Sequence, residues 1–256
     1  MCDTCGCVGS ADHFHVAGSV VPVRAGRPVE VLQALLHDND HQAAHNRTHF
    51  AAAGVLVVNL MSAPGAGKTS LLEATIGALH GRLSVAVIEG DLETENDARR
   101  IRAAGAQAVQ ITTGNACHLD ADMVHAALHA LDLRSVDVLF IENVGNLVCP
   151  ACFDLGQHRN VVLLSVTEGD DKPEKYPVMF RAADVMLLTK LDLMDAVGDF
   201  EPERAKRHLR GLASEASVLE VSARSGVGLD AWIEWLVTEH AARSPAKVTE
   251  AAVANA

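Results

Sequence analysis

From Val55 onward, short runs of β-branched and apolar residues alternate with longer stretches whose apolar positions recur at helical spacing. The apolar runs predict strands at Val55–Ser62, Ser84–Glu89, Ala108–Ile111, Val136–Glu142, Val161–Val166, Val185–Leu188 and Val218–Val221. Helical patterns follow at about Gly67–His80, Glu95–Ala104, Asp120–Leu131, Pro202–Leu212 and Leu229–His240. Strands and helices in strict alternation predict an α/β fold with a doubly wound, mainly parallel sheet. Before the first strand, residues 29–50 read as a helix with an apolar stripe at Val31, Leu35 and Leu36. The expected organisation is an arm at 1–28, a His-bearing helix at 29–50, a nucleotide-binding unit at 51–243 and a frayed tail at 244–256. No internal repeat is visible.

The first strand runs into Ser62-Ala63-Pro64-Gly65-Ala66-Gly67-Lys68-Thr69-Ser70, a glycine-rich turn followed by a helix start. This order is that of a phosphate-binding loop. Small residues let backbone N–H groups curl around phosphate oxygens, and the helix dipole favours the anion. Gly65, Ala66, Gly67, Lys68, Thr69 and Ser70 are the predicted phosphate contacts, with Lys68 reaching the β/γ-phosphates and Thr69 on Mg²⁺. Ser62 occupies the position where the general pattern has glycine. Two later strands end in acidic residues, at Glu89-Gly90-Asp91 and Glu142-Asn143-Val144-Gly145. Ligands collect at such strand ends. Asp91 and Glu142 are therefore candidate Mg²⁺ holders, with helix capping as the plainer alternative. Thr189-Lys190-Leu191-Asp192 matches a guanine reader except that Thr replaces Asn. An Asp192 carboxylate accepts two hydrogen bonds from guanine that adenine does not offer, and the Lys190 stem lies on the base. Ser222-Ala223-Arg224 reads as the loop closing over it. GTP is favoured over ATP.

Charge narrows the partners. The 256 residues carry a net charge of −12, which argues against nucleic acid or an anionic membrane as partner. No apolar run nears the roughly 20 residues of a membrane span, and MCDTCGC opens with neither a basic region nor an apolar core. A cytoplasmic location is expected. In that compartment the six cysteines read as metal ligands or inert thiols rather than disulfides.

Cys2, Cys5 and Cys7 fall within six residues, close enough to wrap one soft or borderline ion; a redox or inert tail is the alternative. A second set, Cys117, His118, Cys149 and Cys152, has the thiolate–imidazole chemistry that Zn²⁺ and Ni²⁺ accept, against structural zinc or buried thiols. Cys149 lies seven residues beyond Glu142, on a segment placed to respond to the γ-phosphate. His37, His41, His45 and His49 recur every four residues. They read either as a solvated polar face or as weak Ni²⁺/Zn²⁺ storage, to which His13 and His15 would add. His125 and His129, one turn apart, read as surface residues, with assistance to the Cys117–His118 set as the alternative.

Several stretches together resemble the HypB family of GTPases that insert nickel into [NiFe]-hydrogenase. They are MCDTCGC, Asn46-Arg47 with Phe50, SAPGAGKT, EGD, GNACH, ENVGNLVCPA followed by FDLG, and TKLD, and they span about residues 1–240. Ser62 agrees with this family. The resemblance implies a SIMIBI-class G domain, slow hydrolysis of GTP and a homodimer when GTP is bound. It implies work with a HypA-type metallochaperone on a hydrogenase large-subunit precursor. It also implies a tight nickel site at Cys2, Cys5 and Cys7 and a second site at Cys117, His118 and Cys149 on the dimer interface. Cys152 stands where the family has a small residue, which opens a four-ligand set. A related urease accessory GTPase fits less well, because of both cysteine segments, and the guanine reader counts against a small-molecule kinase.

Overall fold

The computed structural model describes residues 27–91, 95–114 and 116–243, with side chains from residue 35 on. Cys2, Cys5, Cys7, His13, His15, Val31 and the tail from 244 lie outside the described side chains. The elements in order are α1 (Arg27–Ala53), β1 (Leu56–Ser62), α2 (Lys68–Leu79), β2 (Val85–Asp91), α3 (Asn96–Ala103), β3 (Gln107–Thr112) and α4 (Ala121–Leu128). Then come β4 (Val138–Glu142), β5 (Arg159–Ser165), α5 (Lys172–Lys175), α6 (Pro177–Arg181), β6 (Val185–Thr189), α7 (Met194–Val197), α8 (Pro202–Gly211), β7 (Ser217–Glu220) and α9 (Leu229–Ala241). The strands form one parallel sheet in the order β3-β2-β4-β1-β5-β6-β7.

Strict alternation along each central strand divides the core. Leu56, Val58, Leu60, Val138, Phe140, Val161 and Leu163 point to the side of α2 and α9, where Leu72, Ile76, Trp232 and Leu236 meet them. The intervening residues face the other way. Val57, Ile88, Leu139 and Ile141 pack with Phe50 of α1 and Val124 of α4. Val162, Leu164, Met186 and Leu188 pack with Phe180 of α6 and Leu209 of α8. Both faces of the sheet are therefore covered, which is why its strands read as continuous apolar runs.

Two expectations are corrected. Residues 172–181 form α5 and α6, where no helix was expected, because Pro173 and Pro177 open each short helix and break the periodicity that longer helices show. On α1 the apolar stripe expected to run through Leu35 and Leu36 is not buried there, Leu36 being half-buried. Leu35 is exposed, and the buried positions are Asn39, Ala43, Asn46 and Phe50. The two asparagines are buried because they are bonded. Asn46 donates to the carbonyls of Ala121 (2.9 Å) and Leu155 (3.2 Å). Asn39 donates to Asp154 O (2.8 Å) and accepts from Ala121 N (2.9 Å). Arg47 pairs with the Asp154 carboxylate. Gly156 allows the close approach: at φ +89° it sits where a Cβ would stand 2.7 Å from Ala43 O. The Asn-Arg-x-x-Phe and Phe-Asp-Leu-Gly motifs thus bind each other, holding α1 against the start of α4.

His158 joins β1 and β5 by two bonds. Its backbone N–H donates to Val57 O (2.9 Å) and its Nδ1 accepts from Val57 N (3.0 Å). Burial, helped by Arg243, Arg159 and Arg47, pushes this imidazole down to about 4 from 6.5. A depressed pKa means that the folded state resists a proton the unfolded state accepts, so the contribution to stability is present above pH 6.5 and is lost as pH falls towards 4. His158→Asn keeps an acceptor without the titration. Thermal unfolding across pH 4–7 should show a shallower acid loss for His158→Asn than for the wild type; equal slopes would contradict this assignment.

Candidate functional site

The C-terminal ends of β1, β2, β4 and β6 converge on two adjoining cavities, of about 430 and 250 Å³, which share Gly67, Ser70 and Lys190. The larger is walled by the β1–α2 loop and by the acidic ends of β2 and β4. Gly67, the N-cap of α2, has φ +100°, a left-handed conformation that glycine adopts without strain. The turn buries Lys68, whose Nζ donates to Ser62 Oγ (3.0 Å). Ser62 in place of glycine therefore gives the ammonium a partner at the end of β1. Thr69 Oγ1 donates to Glu142 Oε1 (2.9 Å).

The electrostatics of this cavity are dominated by burial. Glu142 is pushed up to about 7 by burial, opposed by Lys68 and by the Thr69 hydrogen bond. Glu89 is pushed up to about 8, first by burial and then by the Glu142, Asp97 and Asp91 charges. Lys68 is pulled down by burial, against the pull of Glu142 and Glu89. One oxygen of each glutamate, Oε2, has no hydrogen-bond partner among the described residues. Buried carboxylates with open oxygens beside a hydroxyl suit a hard divalent cation. Glu89, Asp97 and Glu142 bring ligand atoms within 4.8 Å of one another. Asp91 lines the same cavity. Sequence reading missed Glu89, because its neighbours in an apolar strand hid that it points inward, and Asp97, because helix α3 carries it there from a separate element. Arg100 also lines the cavity, bonded to Ser70 Oγ (3.2 Å), Asp97 and Glu73.

The smaller cavity is lined by Ala66, Gly67, Thr189, Lys190, Asp192, Ala223 and Arg224, among others. Lys190 takes a left-handed backbone (φ 60°) at the end of β6. Thr189 does not contact the cavity with a free hydroxyl: its Oγ1 donates to Ala66 O (2.7 Å), tying β6 to the phosphate loop. Ser222 is buried and donates to Asp192 Oδ1 (2.6 Å), so it orients the carboxylate rather than lining the cavity.

A third cluster lies behind the larger cavity. Cys117 Sγ is 3.0 Å from Cys149 Sγ and 3.7 Å from His118 Nδ1, and the three ligand atoms lie within 4.8 Å of one another. Residues 32 positions apart in sequence are thus brought together by the 3-10 turn Cys149–Cys152 and the loop before α4. His118 stacks on Phe153 (centroids 3.9 Å), and burial lowers its pKa, favouring the neutral, ligating imidazole. Cys152 is not part of this group. Its Sγ lies 3.9 Å from Val148 O, so the structure forms a three-residue set where four were considered.

The cluster and the phosphate cavity share a wall. Asn143, directly after β4, donates to Asn59 Oδ1 (3.3 Å) and accepts from Leu119 N (3.1 Å) and Val144 N (3.0 Å). Gly145 packs directly on the phosphate loop, where a Cβ would stand 2.9 Å from Pro64 Cα. The chain between Glu142 and Cys149 therefore touches nucleotide cavity and cysteine cluster alike. His37, His41, His45 and His49 are all exposed on α1 and take no part in either.

A seven-stranded parallel sheet with a Gly-Lys-Thr loop at the end of its central β1, and an Asp-bearing loop at the end of β6, defines a P-loop nucleotide-binding protein of the GTPase kind. The family described as "CobW/HypB/UreG, nucleotide-binding domain" matches residues 55–220. The hydrogenase maturation factor HypB of Azotobacter vinelandii is 52% identical over 87% of this chain and 73% of its own length. A HypB structure from Helicobacter pylori, solved in complex with nickel, superposes with a TM-score of 0.77 at 40% identity, covering 80% of this chain and 96% of that one. At 16% identity the cell division protein FtsY of Thermotoga maritima shares the fold alone, with a TM-score of 0.52 over 72% of this chain and 68% of that one. The chain belongs to the HypB family of hydrogenase maturation factors.

Proposed function

We infer that the protein hydrolyses GTP and uses the cycle to control a nickel or zinc ion at Cys117, His118 and Cys149 while [NiFe]-hydrogenase is matured. The observation that carries this reading is the shared wall. Asn143 and Gly145 touch the phosphate side, and the same segment ends in Cys149. A γ-phosphate that moves this segment alters the geometry of a thiolate ligand, and the coupling is reciprocal by linkage. The nickel complex of the Helicobacter pylori relative supports nickel as the cargo.

In this reading Asp192, held by Ser222, accepts from the guanine edge. Lys190 lays its stem on the base, and Ala223 and Arg224 wall it. Gly65 to Ser70 bind the phosphates through backbone N–H groups, and Lys68 neutralises charge that develops on the β/γ oxygens as water attacks. Thr69, Glu142 and Asp91, with Glu89 and Asp97 beside them, would hold Mg²⁺. Bound there, the ion supplies a Lewis acid for the phosphate oxygens. With the ion bound, its charge would favour the ionised forms of Glu89 and Glu142, whose carboxyls burial otherwise pushes up. No protein nucleophile is needed.

Three protein ligands leave a coordination position open at a half-exposed edge of Cys117 and His118. This suits a site that receives and passes on its ion, and it fits a homodimer assembled with GTP across that edge. The partners in this reading are a HypA-type metallochaperone and the hydrogenase large-subunit precursor in the cytoplasm, with Cys2, Cys5 and Cys7 as a separate nickel site. Neither nucleic acid nor a membrane is a partner. Among the described residues no helix is long and apolar enough to cross a membrane.

Two variants test the two halves. Ser222→Ala removes the bond that aims Asp192. It should weaken GDP binding about tenfold, roughly 1.4 kcal/mol, and leave ATP binding unchanged. Equal loss for both nucleotides would mean that Asp192 does not read guanine. Lys68→Ala should lower GTP hydrolysis by at least about a hundredfold and abolish nickel loading of hydrogenase in cells. Full nickel loading by that variant would reduce the protein to a metal buffer with an incidental GTPase.

A further inference from the structure

The histidine row on α1 does not behave as a row. Among the described residues no ring contact joins His37 or His41 to the rest. His37 has only the neighbouring Asp38 carboxylate, with Nδ1 3.7 Å from Oδ1 and both side chains in solvent. His45 and His49 differ. They stand one turn apart with ring centroids 4.7 Å from each other, and both face His125 of α4, at 5.0 and 5.3 Å. His129, one turn further along α4, adds a fourth ring 5.0 Å from His125.

We propose that His45, His49 and His125 form a discrete metal site between α1 and α4, selective for borderline divalent ions such as Zn²⁺ and Ni²⁺. Three observations support it. The ligand nitrogens of the three residues lie within 4.8 Å of one another, although they come from two helices. A tetrahedral ion with metal–nitrogen bonds of about 2.1 Å needs neighbouring nitrogens about 3.4 Å apart. The remaining closure is small, and the exposed His45 and His49 can make it by rotating their side chains. His125 is the anchored member: its Nδ1 is buried with no hydrogen-bond partner among the described residues. Burial, with His45, His129 and His49 adding to it, lowers its pKa, so the ring is neutral and available as a ligand. Water or a bound anion completes the coordination. Imidazole-only donors favour zinc, nickel or copper over magnesium or calcium.

The position of the site gives it a structural consequence. Asn39 and Asn46 already tie α1 to Ala121 at the start of α4, three residues beyond His118. An ion on His45, His49 and His125 staples the same helix pair at a second point. It does so without thiolates, away from the nucleotide cavities, and the proposal does not depend on the GTP-linked cluster being a nickel site.

The test is a Zn²⁺ titration against a chromophoric competitor, on the full chain with all six cysteines replaced by serine and its fold checked by circular dichroism. One Zn²⁺ should bind. His49→Ala and His125→Ala should each weaken it by at least about tenfold, while His37→Ala and His41→Ala leave it unchanged. A parallel measurement on the chain with its cysteines intact guards against a folding defect. There His125→Ala should lower the zinc stoichiometry by one per chain at an unchanged GTP hydrolysis rate. The proposal falls if the His37 and His41 variants weaken binding as much as the His49 variant. It falls equally if the stoichiometry of the intact chain is the same with and without His125.

Discussion

Asn143 engages three segments with one buried side chain. It donates to Asn59 on β1, accepts from Val144 in its own loop, and accepts from Leu119 at the end of the Cys117–His118 loop. An unpaired amide at this depth would cost on the order of 1–3 kcal/mol, so the three segments move together or the bonds break. The β4–Cys149 segment cannot shift relative to the phosphate loop, against which Gly145 is packed, without changing where Leu119 and hence His118 sit. The bonds also suit an element with two discrete positions. Buried amide networks are satisfied in discrete arrangements rather than by gradual stretching.

In the proposed cycle the phosphate cavity would supply the bias for such an element. Glu89 and Glu142 are buried together beside Lys68, and burial holds both carboxyls well above their ordinary range. Without a cation, burial favours the protonated forms of both carboxyls. A nucleotide-bound divalent ion held by these carboxylates would take the place of the protons, and Glu142 sits one residue before Asn143. In the proposed cycle, a displacement of Glu142 by the ion and the γ-phosphate would pass directly to Asn143, which holds the Cys117–His118 loop through Leu119. The distance from charge to thiolate is covered by seven residues of chain, with no relay of remote side chains.

The sequence was most informative where a chemical requirement is local. The buried strands are continuous apolar runs, the phosphate loop is one contiguous stretch, and the Asp192 loop follows β6 directly. Cys117, His118 and Cys149 could be grouped because thiolates and imidazole share a chemistry, even though only the fold brings them to contact distance. What stayed hidden depends on tertiary contacts. The burial of Asn39 and Asn46 was not legible, because a polar residue is buried only when a distant carbonyl meets it. A stripe of Asn39, Ala43, Asn46 and Phe50 at helical spacing was the available signal. Cys152 shared the right chemistry and a short spacing from Cys149, but the 3-10 turn carries it out of the group. Likewise the regular spacing of His37 to His49 said nothing of α4, which selects two of the four.

If the Glu142–Cys149 segment couples the two sites, nucleotide state must change metal affinity. Nickel titration of the full chain with Cys2, Cys5 and Cys7 replaced by serine measures this directly, once with GDP and once with a non-hydrolysable GTP analogue. The dissociation constants for the Cys117–His118–Cys149 site should differ by at least about fivefold between the two states. The same affinity in both would contradict that coupling.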